Sequence, residues 1–193
     1  ALLLPALASA KEKSRRAACT SNLRQIAIGM TVYSMDNQDR ILEARYNSVQ
    51  VAINPPEATN CAAVGLNATT TNNSFSIWNC PGRPKVYPIY EPDLQQYVIG
   101  YQYFGGITKW CNPAGTFTSY SPCKLSTAKP SWALAGDLVI RTGSNPWGTF
   151  PDSRDASIFV GAPPHRSART GYPSGSTEVF ADGSTRWIRA NTL

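Results

Sequence analysis

Five cysteines and a single histidine are the residues of this sequence best suited to metal or nucleophilic chemistry. The cysteines stand at positions 19, 61, 80, 111 and 123. None of them has Cys-x-x-Cys spacing, and one histidine does not complete a usual zinc set, so no metal cluster is predicted. Disulfide bonds in an oxidising compartment are the better prediction. Cys111 and Cys123 enclose a short loop and are the first pair we expect, while Cys61 with Cys80 is one candidate for a second bond.

Nucleophilic catalysis would have to use His165 as its base, with Asp137 or Asp182 as the orienting acid and one of several serines. The sequence has no Gly-x-Ser-x-Gly elbow, His-Glu-x-x-His pair, phosphate loop or dinucleotide fingerprint. His165 follows two prolines and precedes Arg166, a setting typical of an exposed turn. A role in a turn is the better interpretation of Asp182, because Asp followed by Gly183 favours the positive φ angles of a two-residue hairpin turn. We therefore predict that the protein is not an enzyme and has no catalytic residues.

The longest element that the sequence predicts is an N-terminal helix. From Leu2 to about Met35, good helix formers dominate and only Pro5 and Gly29 interrupt them. About 33 residues at about 1.5 Å each make a rod of roughly 50 Å, which is longer than a small domain is wide. Part of the helix must therefore protrude.

The apolar pattern divides this helix into parts. An apolar stripe with helical spacing predicts the contact between helix and sheet at Leu23, Ile26, Ala27, Met30 and Tyr33. A charged neck from Lys11 to Arg16 precedes it. Before the neck, an apolar segment predicts an assembly or membrane contact at Leu2, Leu3, Leu4, Pro5 and Leu7. The predicted organisation is a spine helix at 1–36, protruding over 1–16 and packed over 17–36, and a globular domain at 37–193.

The rest of the chain predicts an antiparallel sheet with a loop-rich C-terminal half, so the fold class is α+β. Beyond residue 40 the sequence is rich in Asn, Thr, Ser, Gly, Pro and aromatic residues, which favour strands and ordered loops over helices. Strands are predicted at 74–79, 97–104, 132–141, 157–160, 176–181 and 184–189. The last two flank Asp182 and Gly183, the strongest short hairpin signal in the chain.

The formal net charge of +6 invites a nucleic-acid hypothesis. Four basic residues and one acidic residue fall between Lys11 and Arg16, so half of the net charge lies in the helical neck. That placement suits acidic lipid headgroups or the carboxylates of adjacent subunits better than a DNA groove. Nucleic acid is therefore not an expected partner.

The stretch from Leu2 to Arg40 resembles the part of a prepilin-type protein that follows its leader and first apolar turns. Shorter similar pieces are Cys80-Pro81, the Tyr-rich segment 97–105, and FADGSTRWI at 180–188. The last piece resembles the end of a large pilin-like family marked by a His and a later Asp-Gly, although sixteen residues separate His165 from Asp182 here. The family's basic leader, Gly-Phe-type processing site and apolar run are expected upstream of Ala1.

The resemblance to type IV pilins and type II secretion pseudopilins implies a structural subunit of an extracellular or periplasm-spanning filament. Its expected partners are copies of itself or related subunits, with the inner membrane and a prepilin peptidase for the precursor. The family also implies a Cys19–Cys80 disulfide between helix and domain. Pseudopilins commonly bind calcium in a C-terminal loop, so the resemblance makes Asp152 and Asp155 weak candidate calcium ligands. No cofactor or metal is predicted.

A binding module is the alternative function. The aromatic residues are concentrated after residue 74, and Trp and Tyr on loops suit recognition of a glycan or another polymer. Under this alternative the protein is secreted or anchored at the surface.

Overall fold

The computed structural model describes residues 3–45, 51–55, 64–66, 76–83, 89–112, 114–141, 143–150, 158–167 and 169–190. Within these ranges the chain forms one long α-helix, nine short strands and a 3-10 turn at Leu125–Thr127.

Helix α1 spans Leu3–Asp36, a length of 34 residues or about 50 Å. Pro5 lies in its first turn, where a missing N–H breaks no helical hydrogen bond. The helix ends because Gln38 and Asp39 adopt positive φ angles of 56° and 66°. The Asp39 N–H then donates to the Ser34 carbonyl at 2.9 Å. No helix among the described residues has a stretch long and apolar enough to cross a membrane.

Nine strands form three antiparallel sheets. The strands are β1 (Ala52–Ile53), β2 (Ile89–Glu91), β3 (Gln96–Val98), β4 (Gln102–Tyr103), β5 (Lys109–Asn112), β6 (Gly115–Thr118), β7 (Ala133–Gly136), β8 (Gly175–Phe180) and β9 (Thr185–Arg189). Four of them form a sheet in the order β4-β7-β8-β9, and α1 packs on its last three strands. The others form a β1-β3-β2 sheet and a β5-β6 hairpin. The predicted α+β class with an antiparallel sheet is confirmed.

The core lies between α1 and the strands. Leu23, Ile26, Ala27 and Met30 are buried in it, and the partly buried Tyr33 packs against it. Aromatic residues fill much of the opposite side, as expected where a sheet domain has few leucines. The buried aromatic members are Trp78, Tyr97, Tyr101 and Tyr103.

Several strand predictions were wrong in extent. The predicted strand 97–104 is divided into β3 and β4 around Gly100, whose N–H donates to the Trp78 carbonyl at 2.9 Å. This close approach of two backbones interrupts the strand. A side chain at position 100 would meet the same carbonyl, because a Cβ would lie 2.6 Å from it. Residues 76–79 and 158–160 form turns, and β7 is shorter than the predicted strand. The strands β1, β2, β5 and β6 were not predicted from the sequence.

The β8–β9 hairpin lies where Asp182 and Gly183 predicted it, but its turn is longer than two residues. The strands end at Phe180 and resume at Thr185, and within the turn only Gly183 has a positive φ, of 77°. Asp182 acts through its side chain, whose Oδ1 accepts a hydrogen bond from the Ser184 N–H at 2.9 Å. An Asx-type bond and one left-handed glycine therefore replace the predicted pair of positive φ angles.

Candidate functional site

Four elements bring polar side chains together between α1 and the four-stranded sheet. The helix contributes Glu12 and Cys19, and a turn after Trp78 contributes Cys80. Asp137 directly follows β7, where its N–H donates to the Thr177 carbonyl at 2.9 Å. His165 precedes β8 in a segment tied back by the Ser174 N–H, which donates to its carbonyl at 2.8 Å. We call the four residues Cys19, Cys80, Asp137 and His165 the buried cluster.

His165 lies between two carboxylates. Its Nδ1 is 2.7 Å from Glu12 Oε1, and its Nε2 is 3.3 Å from Asp137 Oδ2. Burial by itself lowers the pKa of His165, but the interactions of the ring with Asp137 and Cys19 raise that pKa to about 10. The ring therefore carries a proton at neutral pH when the cluster holds only protein groups. Through these two contacts, the His165 side chain joins Glu12 on the helix to Asp137 after β7.

Arg16 and Trp187 cover the outer side of the histidine. Arg16 Nε donates to Glu12 Oε1 at 2.9 Å, and its guanidinium lies 3.8 Å from the Trp187 ring centroid. The Trp187 ring meets His165 edge-on, with centroids 5.4 Å apart. The helix is thus in contact with the C-terminal region from Glu12 onward, five residues before the start predicted at residue 17. A glutamate and an arginine one turn apart, rather than the apolar stripe, make this first contact.

The two cysteines of the cluster are fully buried and adjacent. Their sulfur atoms are 3.5 Å apart, and Cys80 Sγ is 3.5 Å from Asp137 Oδ1. Hydrogen bonding from Cys80 lowers the pKa of Cys19 to about 7 despite its burial, whereas the same bond and burial raise the pKa of Cys80. Cys19 is therefore the more readily ionised thiol of the pair.

Arg83 is a second buried charge near the cluster. Its guanidinium donates to the carbonyls of Gly100 at 2.9 Å, Val160 at 3.0 Å, and Ile158. Burial lowers the pKa of Arg83 to about 10, while electrostatic interactions with Cys80 and Asp137 act in the opposite direction. The group therefore stays charged at neutral pH. It holds three loops against each other and places a positive charge beside the cluster.

A cysteine, a histidine and a carboxylate are the parts of a cysteine nucleophile with its base and orienting acid. Here the side chains of Cys19, Cys80 and His165 have no solvent-exposed surface, so an external substrate does not reach them in this conformation. The arrangement is better suited to bonds within the protein, either between the sulfurs or to a shared metal ion. Each would fasten the helix to the domain.

The other predicted site residues are dispersed. Leu4 and Leu7 are 75% and 67% exposed, and Pro5 is exposed as well. The described cysteines are free thiols: Cys111 faces Thr116 across the β5–β6 hairpin, and Cys123 lies 3.7 Å from the Ser121 carbonyl. The disulfide pairings stay predictions. Leu2, the side chain of Leu3, Cys61, Asp152 and Asp155 fall outside the described residues.

Sequence reasoning missed two features. It placed His165 on an exposed turn, but the side chain is fully buried, because α1 and Trp187 cover it. No local signal marks this contact, since His165 and Glu12 are 153 positions apart. The second feature is an exposed apolar stripe of α1 formed by Ile28, Val32 and Met35, which we call the outer stripe. Its i, i+4, i+7 spacing was readable from the sequence.

Comparison with known proteins gives a short match. The model of a family described as a protein of unknown function (DUF1559) matches residues 8–39. The matched segment includes Glu12, Cys19 and the core-facing stripe of α1, and it ends before the sheets begin. No curated protein and no solved structure matches the chain. The chain is therefore similar to that family over most of its helix.

Proposed function

We propose that the protein is a structural subunit of an extracytoplasmic filament, of the type IV pilus or type II secretion pseudopilus kind. The observation that carries this proposal is the apolar surface that α1 leaves uncovered. Leu4 and Leu7 project at its start, and the outer stripe continues the exposure towards its end, where Met35 is 77% exposed. A helix of about 50 Å with one face in its own domain and apolar residues elsewhere is suited to packing against neighbouring copies.

The exposed apolar side chains of α1 could supply part of the energy of repeated contacts between subunits. Full burial of a Leu, Ile or Met side chain contributes about 1.5–3 kcal/mol. The two leucines and the outer stripe together would contribute on the order of 5–10 kcal/mol per subunit, before the cost of association. Association costs translational and rotational freedom, which offsets much of this energy. An upstream apolar segment, which the family resemblance implies, would add buried apolar area to the same interface.

The charged neck fits the same function. Lys11 and Lys13 are exposed on the helix between the apolar start and the packed region. At this position they suit acidic lipid headgroups while the precursor is in the inner membrane, and carboxylates of a neighbour after assembly. Under this proposal a prepilin peptidase is the processing partner of the precursor.

Electron microscopy of the full-length gene product in its native cells tests the proposal. We expect filaments that contain the protein, and we expect their loss when Leu4→Asp and Leu7→Asp are combined. Tyr120→Asp is the control, because Tyr120 is 73% exposed but lies far from the helix in sequence and outside the apolar segment. A full-length protein that stays monomeric, or filaments that persist in the double variant, would contradict the assembly function.

A glycan-binding module is the second candidate, and one surface cavity favours it. The cavity has a volume of about 450 Å³ and is lined by Arg141, Asn145, Trp147, Thr170 and Tyr172, among others. Tyr172 is 61% exposed, so its ring is available for stacking on a sugar. We expect Tyr172→Ala to reduce retention on a polysaccharide column and Tyr120→Ala to leave it unchanged. Equal behaviour of the two variants would exclude this cavity.

A further inference from the structure

We propose that Cys19, Cys80, Asp137 and His165 bind a zinc ion at the joint between α1 and the sheet. Sulfur from cysteine, imidazole nitrogen and a carboxylate oxygen are the donors that zinc takes in proteins, and four of them complete a structural site. Donor atoms of Cys19, Cys80 and Asp137 lie within 4.8 Å of one another. His165 Nε2 is next to the same carboxylate, at 3.3 Å from Asp137 Oδ2.

Two of the distances between donors are close to those of a tetrahedral site. Zinc bonds of about 2.3 Å to sulfur and about 2.0 Å to oxygen place two sulfurs about 3.8 Å apart, and a sulfur and an oxygen about 3.5 Å apart. The observed separations are 3.5 Å between the two sulfurs and 3.5 Å between Cys80 Sγ and Asp137 Oδ1. These two separations therefore need to change by only a few tenths of an ångström for the ion to bind, and the His165 ring would have to turn or shift towards the two sulfurs and Asp137 Oδ1.

Polar groups behind two of the donors, His165 and Asp137, hold these side chains in position. Glu12 Oε1 holds Nδ1 of His165 at 2.7 Å, which directs Nε2 into the cluster as in a carboxylate–histidine–zinc arrangement. In the cluster as described, Nε2 is buried and contacts Asp137 Oδ2 at 3.3 Å as an ion pair, without the geometry of a hydrogen bond. The Thr177 N–H donates to Asp137 Oδ2 at 2.7 Å and leaves Oδ1 for the metal. Both ligands are thus oriented before any ion arrives.

The charges around the site are compatible with a cation once the ligands lose their protons. Zinc binding would release the thiol protons of Cys19 and Cys80 and the extra proton of His165 to solvent. The two thiolates and Asp137 then carry three negative charges, and the divalent ion reduces them to one. The buried Arg83 next to the cluster offsets the remaining charge, and Arg16 pairs with Glu12. A disulfide between the same sulfurs would use only two of the four groups, with His165 Nε2 still 3.3 Å from Asp137 Oδ2.

A surface cavity adjoins the cluster on the side of Cys80, so a small local opening there would admit an ion. This cavity of about 500 Å³ lies beside the helix, and its lining includes Asn22, Asn79 and Cys80. The Asn79 side chain is buried there, and both of its polar atoms lack a hydrogen-bond partner in the structure. Because Cys19 is on the helix and the other ligands are on the domain, the bound ion would cross-link the two and couple metal binding to helix docking.

Metal titration of the purified, reduced chain tests this inference. Zinc is added, and the metal content is read by native mass spectrometry, with cobalt as a second probe for sulfur-to-metal charge-transfer absorption. We expect one ion per chain, and at least 100-fold weaker binding in Cys19→Ser and in Cys80→Ser. Cys111→Ser is the matched control and should bind like the parent, because Cys111 is exposed on β5 and outside the cluster.

Glu12→Gln tests the residue that holds His165 in position without itself being a ligand. It should keep the one-ion stoichiometry with about 10–100-fold weaker affinity, since it loosens the orientation of His165 without removing a ligand. Circular dichroism of each variant shows whether its fold is retained. The inference is overturned if the folded, reduced parent binds no zinc at micromolar concentration, or if Cys19→Ser binds as the parent does. A Cys19–Cys80 disulfide in protein isolated from its native cells, found by non-reducing peptide mass spectrometry, also overturns it.

Discussion

Ile26 and Ile28 allow the docking of α1 to be tested with one residue type on one helix. Ile26 has no exposed surface and lies in the main core cluster, whereas Ile28, two positions further, is 63% exposed. Truncation of a fully buried isoleucine to alanine removes its transfer energy and leaves a cavity, at a cost of about 2–5 kcal/mol. An exposed side chain away from specific contacts changes stability by about 0.5 kcal/mol or less.

We therefore expect Ile26→Ala to lower the free energy of unfolding by about 3–4 kcal/mol. For a chain of this size that corresponds to a fall in Tm of about 6–16 °C. Ile28→Ala should leave both quantities nearly unchanged. Urea unfolding followed by tryptophan fluorescence is a suitable assay, because the buried Trp78 packs in the same core cluster and reports its disruption.

The same pair also separates stability from assembly. If the outer stripe packs against a neighbouring subunit, Ile28→Ala should reduce filament yield while the isolated chain keeps its stability. Equal loss of stability in the two variants would refute the reasoning, because it would mean that both sides of the helix are buried. A stable Ile26→Ala variant would mean that this face of α1 is not docked on the domain.

Three further predictions concern the domain. Gly100→Ala should destabilise the fold by about 2 kcal/mol or more in urea unfolding, because its Cβ would lie 2.6 Å from the Trp78 carbonyl oxygen; parent-like stability would contradict that contact. Arg83→Met should cost about 3–5 kcal/mol in the same assay, since it leaves three buried carbonyls without their donor, and a neutral effect would mean that water replaces the guanidinium. Burial raises the pKa of Glu178, so its ionised form costs stability, which falls as the pH rises through that pKa. Glu178→Gln should therefore raise Tm at pH 7 and lose this advantage in acid, where Glu178 is protonated in both states; a gain that persists in acid would have another cause.

Local patterns predicted the elements with strong periodicity or turn chemistry. The helix was predicted within a few residues because its formers run unbroken from Leu2 to Met35, and its core-facing residues were readable from their spacing. The β8–β9 hairpin followed from Asp182 and Gly183. The short strands β1 and β2 were not predicted, because two or three residues carry too little pattern and their pairing with β3 is non-local.

The buried cluster shows what local patterns do not contain. Cysteine spacing argued against a metal site, because the usual signal is two ligands on one short loop. Here Cys19 and Cys80 are 61 positions apart, and Cys80 and Asp137 are 57 apart. The sequence alone predicted a long amphipathic helix with an apolar start, followed by an antiparallel α+β domain, because these features depend on the periodicity of neighbouring residues. The structure was needed to show that His165 is buried against Glu12 and lies next to Asp137. Such contacts depend on which distant segments the packing of α1 on the sheet brings together.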